Sequence, residues 1–176
     1  MELNTMERYE KFIDKAIELG ATDARIIKTE SIVTAAWVQW KCRYGCGNYN
    51  SSLCCPPNSP TYHETKELID CYENAILVHF AGNFDNMTLN PTEVITMLER
   101  DIFLSGYYKA FGLGAGSCEL CEECTMKKCR HAESARPSME GCGIDVLNTA
   151  RNNGYHIEVL KDRSSEMSIY CLVLIE

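Results

Sequence analysis

Ala75-Ile76-Leu77-Val78-His79-Phe80 is a short, nearly continuous apolar run near the middle of the chain. A run of this length is typical of a strand, and its β-branched and aromatic residues favour the same structure. Because only one of its residues is strongly polar, both faces of the strand must be covered. We therefore predict a buried strand over residues 75–80 and assign the rest of the chain outward from it.

A helix-start pattern occurs on each side of this strand. Before it, Thr61 is followed by Glu64 at the spacing of a capping box. After it, Asn90-Pro91-Thr92-Glu93 combines an N-cap, a proline at the first helical position and a reciprocal glutamate, and Gly106 ends the helix. The apolar residues that repeat along the two predicted helices are Leu68, Ile69 and Tyr72 in the first and Val94, Leu98 and Ile102 in the second.

The flanking regions also alternate between helix and strand patterns. A helix is predicted from Met6 to Gly20, and a strand pair over residues 24–27 and 32–40, where Val33, Ala35 and Trp37 alternate. A short helix that ends near Gly154 is predicted to follow Ile144. Two closing strands are predicted over residues 156–160 and 168–175.

These elements predict an α/β or α+β sandwich with a mixed sheet. We find no internal repeat and no linker, so residues 1–176 are interpreted as a single metal-binding domain. The two cysteine-rich segments lie between regular elements, as expected for metal-binding loops on a rigid scaffold.

Composition and charge narrow the functional classes. With 45% apolar and 24% charged residues, the chain has the composition of a globular protein. Its net charge of −8 and the lack of a basic stripe argue against nucleic acid as a partner. Met1-Glu2-Leu3-Asn4 carries no export signal, and no apolar window has the ~20 residues that span a bilayer. We expect a cytoplasmic protein without a membrane partner.

Eleven cysteines are the main anomaly of the composition. They could form disulfides, a zinc site or iron–sulfur sites. Disulfides serve mainly in small exported proteins, and here the count is odd and an export signal is lacking. A metal is therefore the better explanation.

The second cysteine group has the more specific spacing. Cys118, Cys121 and Cys124 are separated by two-residue gaps, and Cys129 follows four residues later. Bacterial ferredoxins use the same gaps to wrap thiolates around one [4Fe–4S] cluster, although here Arg130 replaces the proline expected after the last cysteine. We predict one [4Fe–4S] cluster with these four ligands, although in two-cluster ferredoxins the fourth cysteine of such a run, here Cys129, binds the other cluster. A zinc site remains the alternative.

The first group contains Cys42, Cys46 and the adjacent pair Cys54-Cys55, followed by two prolines. Because adjacent side chains diverge, we expect one cysteine of the pair to bind, and the prolines favour Cys55. Three cysteines would leave one iron of a second cluster open, and zinc bound by all four is the alternative. Candidate fourth ligands are Cys54, Cys71, Cys142, Cys171, His63 and His79.

Two further segments accompany the second group. Gly112, Gly114 and Gly116 alternate just before Cys118, which indicates backbone freedom or close approach to a bulky group. In the segment that follows the group, arginines are expected to pair with the acidic residues of the cluster loop.

The sequence resembles the family of predicted metal-binding proteins called domain of unknown function 2284. The matching motifs are the tryptophan-containing segment that leads into Lys41-Cys42 and Gly45-Cys46, Cys55-Pro56-Pro57, Gly116-Ser117-Cys118 with its cysteine run, Arg136-Pro137-Ser138-Met139-Glu140, and Gly143-Ile144-Asp145-Val146. The resemblance implies a cysteine-rich metal-binding protein of anaerobes and supports the seven ligands Cys42, Cys46, Cys55, Cys118, Cys121, Cys124 and Cys129. Cys54 and Cys142 are additions to the family pattern.

Three functional hypotheses follow. The first is electron transfer in anaerobic metabolism through two clusters, with a redox partner such as ferredoxin. The second is an enzyme whose open iron binds a small sulfur- or oxygen-containing substrate. The third is a zinc-binding structural or interaction module. Dinucleotide and phosphate-loop motifs are lacking, so nucleotide cofactors are not indicated.

Overall fold

A computed structural model of the chain describes residues 5–83, 88–162 and 164–176. Met1-Glu2-Leu3-Asn4, on which the prediction of a cytoplasmic protein partly rests, lies outside the described residues, as does the side chain of Met6. The helices are α1 (Thr5–Glu18), α2 (Ala36–Gly45), α3 (Tyr62–Ile69), α4 (Pro91–Leu104) and α5 (Val146–Asn152). The strands are β1 (Asp23–Lys28), β2 (Asn74–Gly82), β3 (Phe111–Leu113) and β4 (Met167–Leu174). None of the described helices is long and apolar enough to cross a membrane.

The strands form one sheet in the order β1-β2-β4-β3. This combination of helices and a sheet confirms the predicted class, but every neighbouring pair of described strands is antiparallel, where a mixed sheet was expected. β2 and β3 do run in the same direction. They are not neighbours because β4 lies between them. Apolar runs report burial and not strand direction, so the sequence could not predict this insertion.

The central strand β2 is covered on both faces, as its sequence predicts. Ile76, Val78 and Phe80 pack in one apolar cluster with residues of α1 and α4. Ala75 and Leu77 point the other way, into a second cluster with residues of α3, α5 and the loop before α5. The sheet is thus the middle layer of three.

The predicted helix starts are confirmed. Thr61 and Glu64 make both bonds of a capping box: the Glu64 N–H donates to Thr61 Oγ1 at 3.3 Å, and the Thr61 N–H donates to Glu64 Oε2 at 2.8 Å. Asn90 caps α4 by accepting bonds from the backbone of Thr92 and Glu93, but the predicted reciprocal bond to the Glu93 carboxylate is not formed among the described residues. These bonds are local, which explains why sequence patterns predict them well.

Two predicted strands are wrong. Residues 32–40 contribute only an isolated bridge at Thr34, and α2 begins at Ala36. The apparent alternation is not a burial pattern, because only Val38 of α2 is buried while Trp37 is 50% and Trp40 is 64% exposed. Residues 156–160 are likewise irregular and largely exposed, with Val159 74% accessible, so they have no apolar face to pair against the sheet.

Candidate metal centre

The first cysteine group begins in the last turn of a helix, whereas the sequence predicted a strand over residues 32–40 followed by a loop that carries the cysteines. Cys42 lies in the last turn of α2, and Cys46 follows directly, its N–H donating to the Cys42 carbonyl at 3.3 Å. A tight turn then carries Cys55, whose carbonyl accepts bonds from the N–H groups of Asn58 and Ser59 at 2.9 and 3.2 Å. The end of α2 and this turn therefore present the thiols together.

The structure brings Cys42, Cys46 and Cys55 into one neighbourhood. Burial raises the pKa of the Cys42 thiol, and the negative charges of Cys46, Glu140 and Cys55 raise it further. Cys55 is buried, whereas Cys46 is exposed. The group therefore has an inner and an outer edge, and the outer edge opens to solvent.

Cys54 points away from this group and joins the second one. Its thiol is hydrogen-bonded to that of Cys118 and lies near Cys129. Burial, followed by the charge of Cys118, raises the pKa of Cys54 to about 12. The side chains of the adjacent cysteines diverge as we expected, but our sequence reasoning did not foresee that Cys54 would meet Cys118. The adjacency of Cys54 and Cys55 is the sequence feature that could have indicated this contact, because consecutive side chains in an irregular segment often face opposite ways.

The second group surrounds a concavity of about 550 Å³. Five cysteines line it: Cys54, Cys118, Cys121, Cys124 and Cys129. Asn48 and Ser117 join its two sides, since Asn48 Nδ2 donates to Ser117 Oγ at 3.2 Å. The four predicted thiols of this group thus share one site with a fifth from the first cysteine segment.

Backbone N–H groups point at two of these sulfurs. The N–H groups of Met126 and Leu53 hydrogen-bond to Cys124 and lower the pKa of its thiol. Met126 does so from a left-handed conformation, with φ of +54°. The His131 N–H donates to Cys129 Sγ at 3.4 Å. Such N–H donors stabilise thiolates and are among the contacts that tune iron–sulfur clusters.

A buried ion pair anchors the segment that follows the second group. Arg136 donates from Nε and Nη2 to Glu99 on α4 at 2.7 and 2.6 Å, and the Gly112 N–H donates to the same carboxylate at 2.7 Å. Our expectation that the arginines of this segment pair with the acidic cluster loop is therefore wrong for Arg136. The correct partner is distant in sequence and becomes adjacent only when α4 packs against β3.

Close packing explains two of the alternating glycines. A Cβ atom at Gly112 would lie 2.6 Å from Ile95 Cγ2, and one at Gly114 would overlap Thr92. Gly116 differs, because it has open space but a φ of +70°. Both predicted reasons therefore apply: close approach at Gly112 and Gly114, and backbone freedom at Gly116. The three glycines let the chain pass from β3 into the cysteine run.

The other candidate fourth ligands lie elsewhere. Cys71 is exposed and donates to the Glu67 carbonyl, while Cys142 and Cys171 are buried in the two apolar clusters. The His63 ring packs at a tilt against the Tyr62 ring, and His79 Nε2 is hydrogen-bonded to Ser168 Oγ at 3.0 Å. These contacts are those of structural residues.

Glu140 was missed in the sequence. Part of the residue is exposed, but its carboxylate is almost completely buried, and this burial raises its pKa. Its Oε2 atom has no hydrogen-bond partner among the described residues. Because Glu140 follows a proline-containing segment without periodicity, no local pattern indicates that its side chain turns inward.

The donor chemistry fits a thiolate-bound metal centre. In the described part of the chain, no three or more Cys, His, Asp or Glu side chains converge closely enough to hold a single metal ion. Four sulfurs around zinc would lie about 3.8 Å apart, given Zn–S bonds of about 2.3 Å. A cluster of iron and sulfide is bulkier, and thiolates are its usual ligands. The wide ring of thiols suits such a cluster in donor type and in space.

Comparison with protein families gave one match. A family model described as "Predicted metal-binding protein (DUF2284)" matches residues 25–175. The searches of curated proteins and of solved structures found no match.

Proposed function

This chain belongs to the DUF2284 family of predicted metal-binding proteins, and from that premise we propose that it is an iron–sulfur protein that transfers electrons through two [4Fe–4S] clusters. We place this activity in the cytoplasm of an anaerobic cell. When bound, such clusters accept and release single electrons at potentials that the surrounding protein tunes.

The concavity of about 550 Å³ that is lined by five thiols carries the proposal. A structural zinc site is closed around one ion, with no room left over. Here the thiols border a much wider space, and backbone N–H groups point at Cys124 and Cys129. Both features favour a cluster over zinc.

We assign the ligands of the second cluster as Cys118, Cys121, Cys124 and Cys129. Cys129 is preferred to Cys54 because its sulfur accepts a backbone N–H, as Cys124 does. Cys54 instead shares a hydrogen bond with Cys118. In this arrangement Cys54 is not a ligand, and its hydrogen bond modifies the charge on the sulfur of the ligand Cys118.

The first cluster is assigned to Cys42, Cys46 and Cys55. Since Cys55 is adjacent in sequence to Cys54, consecutive residues reach the two sites. Two clusters bound there would be close neighbours. This proximity supports stepwise electron transfer through the protein.

The exposed face of α2 is the proposed docking site for an acidic redox partner such as a ferredoxin. Trp37, Trp40 and Tyr44 are 50%, 64% and 69% exposed and follow one another at helical spacing. Lys41 lies 5.4 Å from the Trp37 ring and Arg43 lies 5.3 Å from the Tyr44 ring. On a chain of net charge −8, this local positive charge favours an acidic partner beside the first cluster.

The exposure of Cys46 favours a second candidate function. An iron at this outer edge would be reachable by a small sulfur- or oxygen-containing substrate, with the second cluster as the electron source. Spectral change of the reduced protein on addition of a small thiol would support this enzyme over simple electron transfer.

Anaerobic purification tests the proposal directly. We expect iron and acid-labile sulfide in equal amounts, and an electron paramagnetic resonance (EPR) signal of reduced clusters after dithionite treatment. Stoichiometric zinc without iron or sulfide would overturn the proposal and leave a zinc-binding module as the function.

A further inference from the structure

We infer that Glu140 supplies an oxygen ligand to the metal centre of Cys42, Cys46 and Cys55, which is then held by three thiolates and one carboxylate. The inference rests on the proposed function, because it completes one of the two proposed clusters. It names a ligand outside the cysteines that the sequence patterns indicate.

The first argument is the unmet bonding capacity of Glu140. Its carboxylate is almost completely buried and is hydrogen-bonded to the Ser138 side chain and to its own backbone N–H, but Oε2 has no hydrogen-bond partner among the described residues. Burial of a carboxylate with one oxygen unpartnered is costly unless it is protonated or binds a metal. Most buried polar atoms are bonded, so an unpartnered one calls for a ligand or another specific role.

Nearby cations make other contacts. Arg136 is held by Glu99 in a two-bond ion pair, Lys41 lies over the Trp37 ring, and Arg43 lies over the Tyr44 ring. A salt bridge to one of these groups therefore does not account for the buried carboxylate. A bound metal would supply a positive partner, and the neighbouring thiols are those that we assign to one.

The second argument is position. The turn that carries Glu140 is bonded to the first cysteine segment from both sides of Cys42: Gln39 Nε2 and Ser59 Oγ donate to the Gly141 carbonyl at 3.0 and 2.7 Å. The Ala35 N–H donates to the Gly143 carbonyl at 2.8 Å. These bonds hold the turn against α2 and against the turn of Cys55.

The side chain of Glu140 is accordingly close to the thiols. Its charge acts on Cys42 together with the charges of Cys46 and Cys55. The same charge also acts on the thiols of Cys142 and Cys171, which are buried in the apolar clusters, whereas Cys42 belongs to the first cysteine group. Cys42, Cys46, Cys55 and Glu140 are therefore the set that we infer for one centre.

Other candidates for the fourth position are less suitable. Cys54 faces the second group, and Cys142 packs in the apolar cluster beneath the sheet, near the Thr65 hydroxyl. Neither His63 nor His79 contacts the first group, since each is bonded or packed elsewhere. Glu140 alone among these residues combines a free buried donor atom with a place beside Cys42.

Binding of iron by Glu140 would release one proton from the carboxyl group. A neutral carboxyl would release its proton on forming the iron–oxygen bond, as metal ligands must be deprotonated. Carboxylate is a harder ligand than thiolate and suits iron less well than sulfur does. The iron bound to Glu140 would therefore be the one most easily taken over by an incoming ligand.

The test compares Glu140→Gln with the wild-type full chain, both reconstituted anaerobically with iron and sulfide. The amide keeps the size of the side chain but not its charge. We expect the affinity of the first site for iron to fall at least about tenfold, as even outer-shell changes cost 10- to 100-fold. The EPR signal of one cluster should change or disappear, while that of the second cluster is retained. Glu133→Gln, at an exposed position, is the matched control and should behave like wild type.

Identical iron content and spectra in Glu140→Gln and wild type would overturn the inference while leaving the proposed function intact. A wild-type protein without iron and sulfide would overturn the proposed function first. If Glu140→Gln fails to fold, pulsed EPR of the reduced wild type labelled with carbon-13 glutamate decides the matter. We expect a carbon-13 coupling to one of the two clusters, which an open iron without Glu140 would not show, and its lack would overturn the inference.

Discussion

The pair Cys54-Cys55 illustrates how much single residues determine in this protein. One peptide bond separates a thiol that faces Cys42 from a thiol that faces Cys118. Substitution of Cys55 is therefore expected to perturb the first site, and substitution of Cys54 the second. The pair also joins the two cysteine segments, because the neighbouring Leu53 N–H hydrogen-bonds to Cys124.

We predict that Cys54→Ser and Cys129→Ser differ in effect. Cys129→Ser removes an assigned ligand, so the second cluster should lose iron. Cys54→Ser should keep the iron but shift the reduction potential, because it alters the hydrogen bond at Cys118. Iron analysis and a potentiometric titration monitored by EPR distinguish the two. Cys71→Ser, an exposed cysteine away from both groups, is the control.

If Cys54→Ser loses iron and Cys129→Ser keeps it, the assignment of these two residues must be exchanged. The rest of the second site would stand in that case.

Arg136 gives a prediction about stability. Arg136→Ala leaves the carboxylate of Glu99 buried without its guanidinium partner; both side chains are only 14% exposed. Removing one partner of a buried pair costs roughly 3–5 kcal/mol, so the free energy of unfolding should fall by about 3 kcal/mol. Urea unfolding of the metal-free protein measures this change.

The exposed Arg100, on the same helix as Glu99, provides the control. Arg100→Ala should change stability by no more than about 0.5 kcal/mol. Equal stability of Arg136→Ala and Arg100→Ala would show that the ion pair contributes nothing to the fold.

At the scale of elements, the metal-binding segments take their positions from helix and strand ends. The last turn of α2 carries Cys42, and β3 leads through close-packed Gly112 and Gly114 into the cysteine run. The cysteine run itself is irregular, which lets its backbone N–H groups turn toward sulfur. The helix and the strand thus fix where the cysteine segments start, and short-range hydrogen bonds fix the conformation of the segments themselves.

The face of α2 supports a prediction about partner binding. Lys41→Glu should slow association with an acidic, low-potential ferredoxin several-fold at low salt, because charges at an interface mainly steer encounter. The difference should shrink as ionic strength rises and screens the charges. Stopped-flow measurement of electron transfer from reduced ferredoxin at two salt concentrations provides the test.

Lys161→Glu makes the same change of charge at an exposed position outside α2. Equal rates for Lys41→Glu and Lys161→Glu would mean that net charge, and not the face of α2, governs the encounter.

At the scale of the whole molecule, the two apolar clusters are separate from the proposed ligands. Both clusters are built on the sheet, mainly on β2 and β4, together with residues from the helices and the loops next to them, and they contain none of the seven assigned cysteines. The cysteine groups lie outside them, in loops and, for Cys42, in the last turn of α2. The fold is therefore expected to depend less on the metal than that of a small zinc finger does.

We predict that removal of the metal leaves the core folded. After chelation, the far-ultraviolet circular dichroism and cooperative urea unfolding should persist, whereas trypsin should cleave faster after Lys127, Lys128 and Arg130 in the cluster loop. Cleavage after Lys15 in α1 should stay slow, because this helix packs on the sheet. Loss of the helical signal on chelation would contradict the separation of core and metal sites.

The sequence by itself determined the features that depend on neighbouring residues. The capping box, apolar patterns and the two-residue cysteine gaps are local patterns, and they predicted the residues of both cysteine groups and the elements α1, β1, α3, β2, α4, α5 and β4. The ligand roles of those cysteines stay a prediction. Only the tertiary structure decided the insertion of β4 between β2 and β3, the helical state of α2, the partner of Arg136 and the directions of Cys54 and Glu140. Each of these depends on contacts between segments far apart in sequence, and the free energy of such contacts is not encoded in a local pattern.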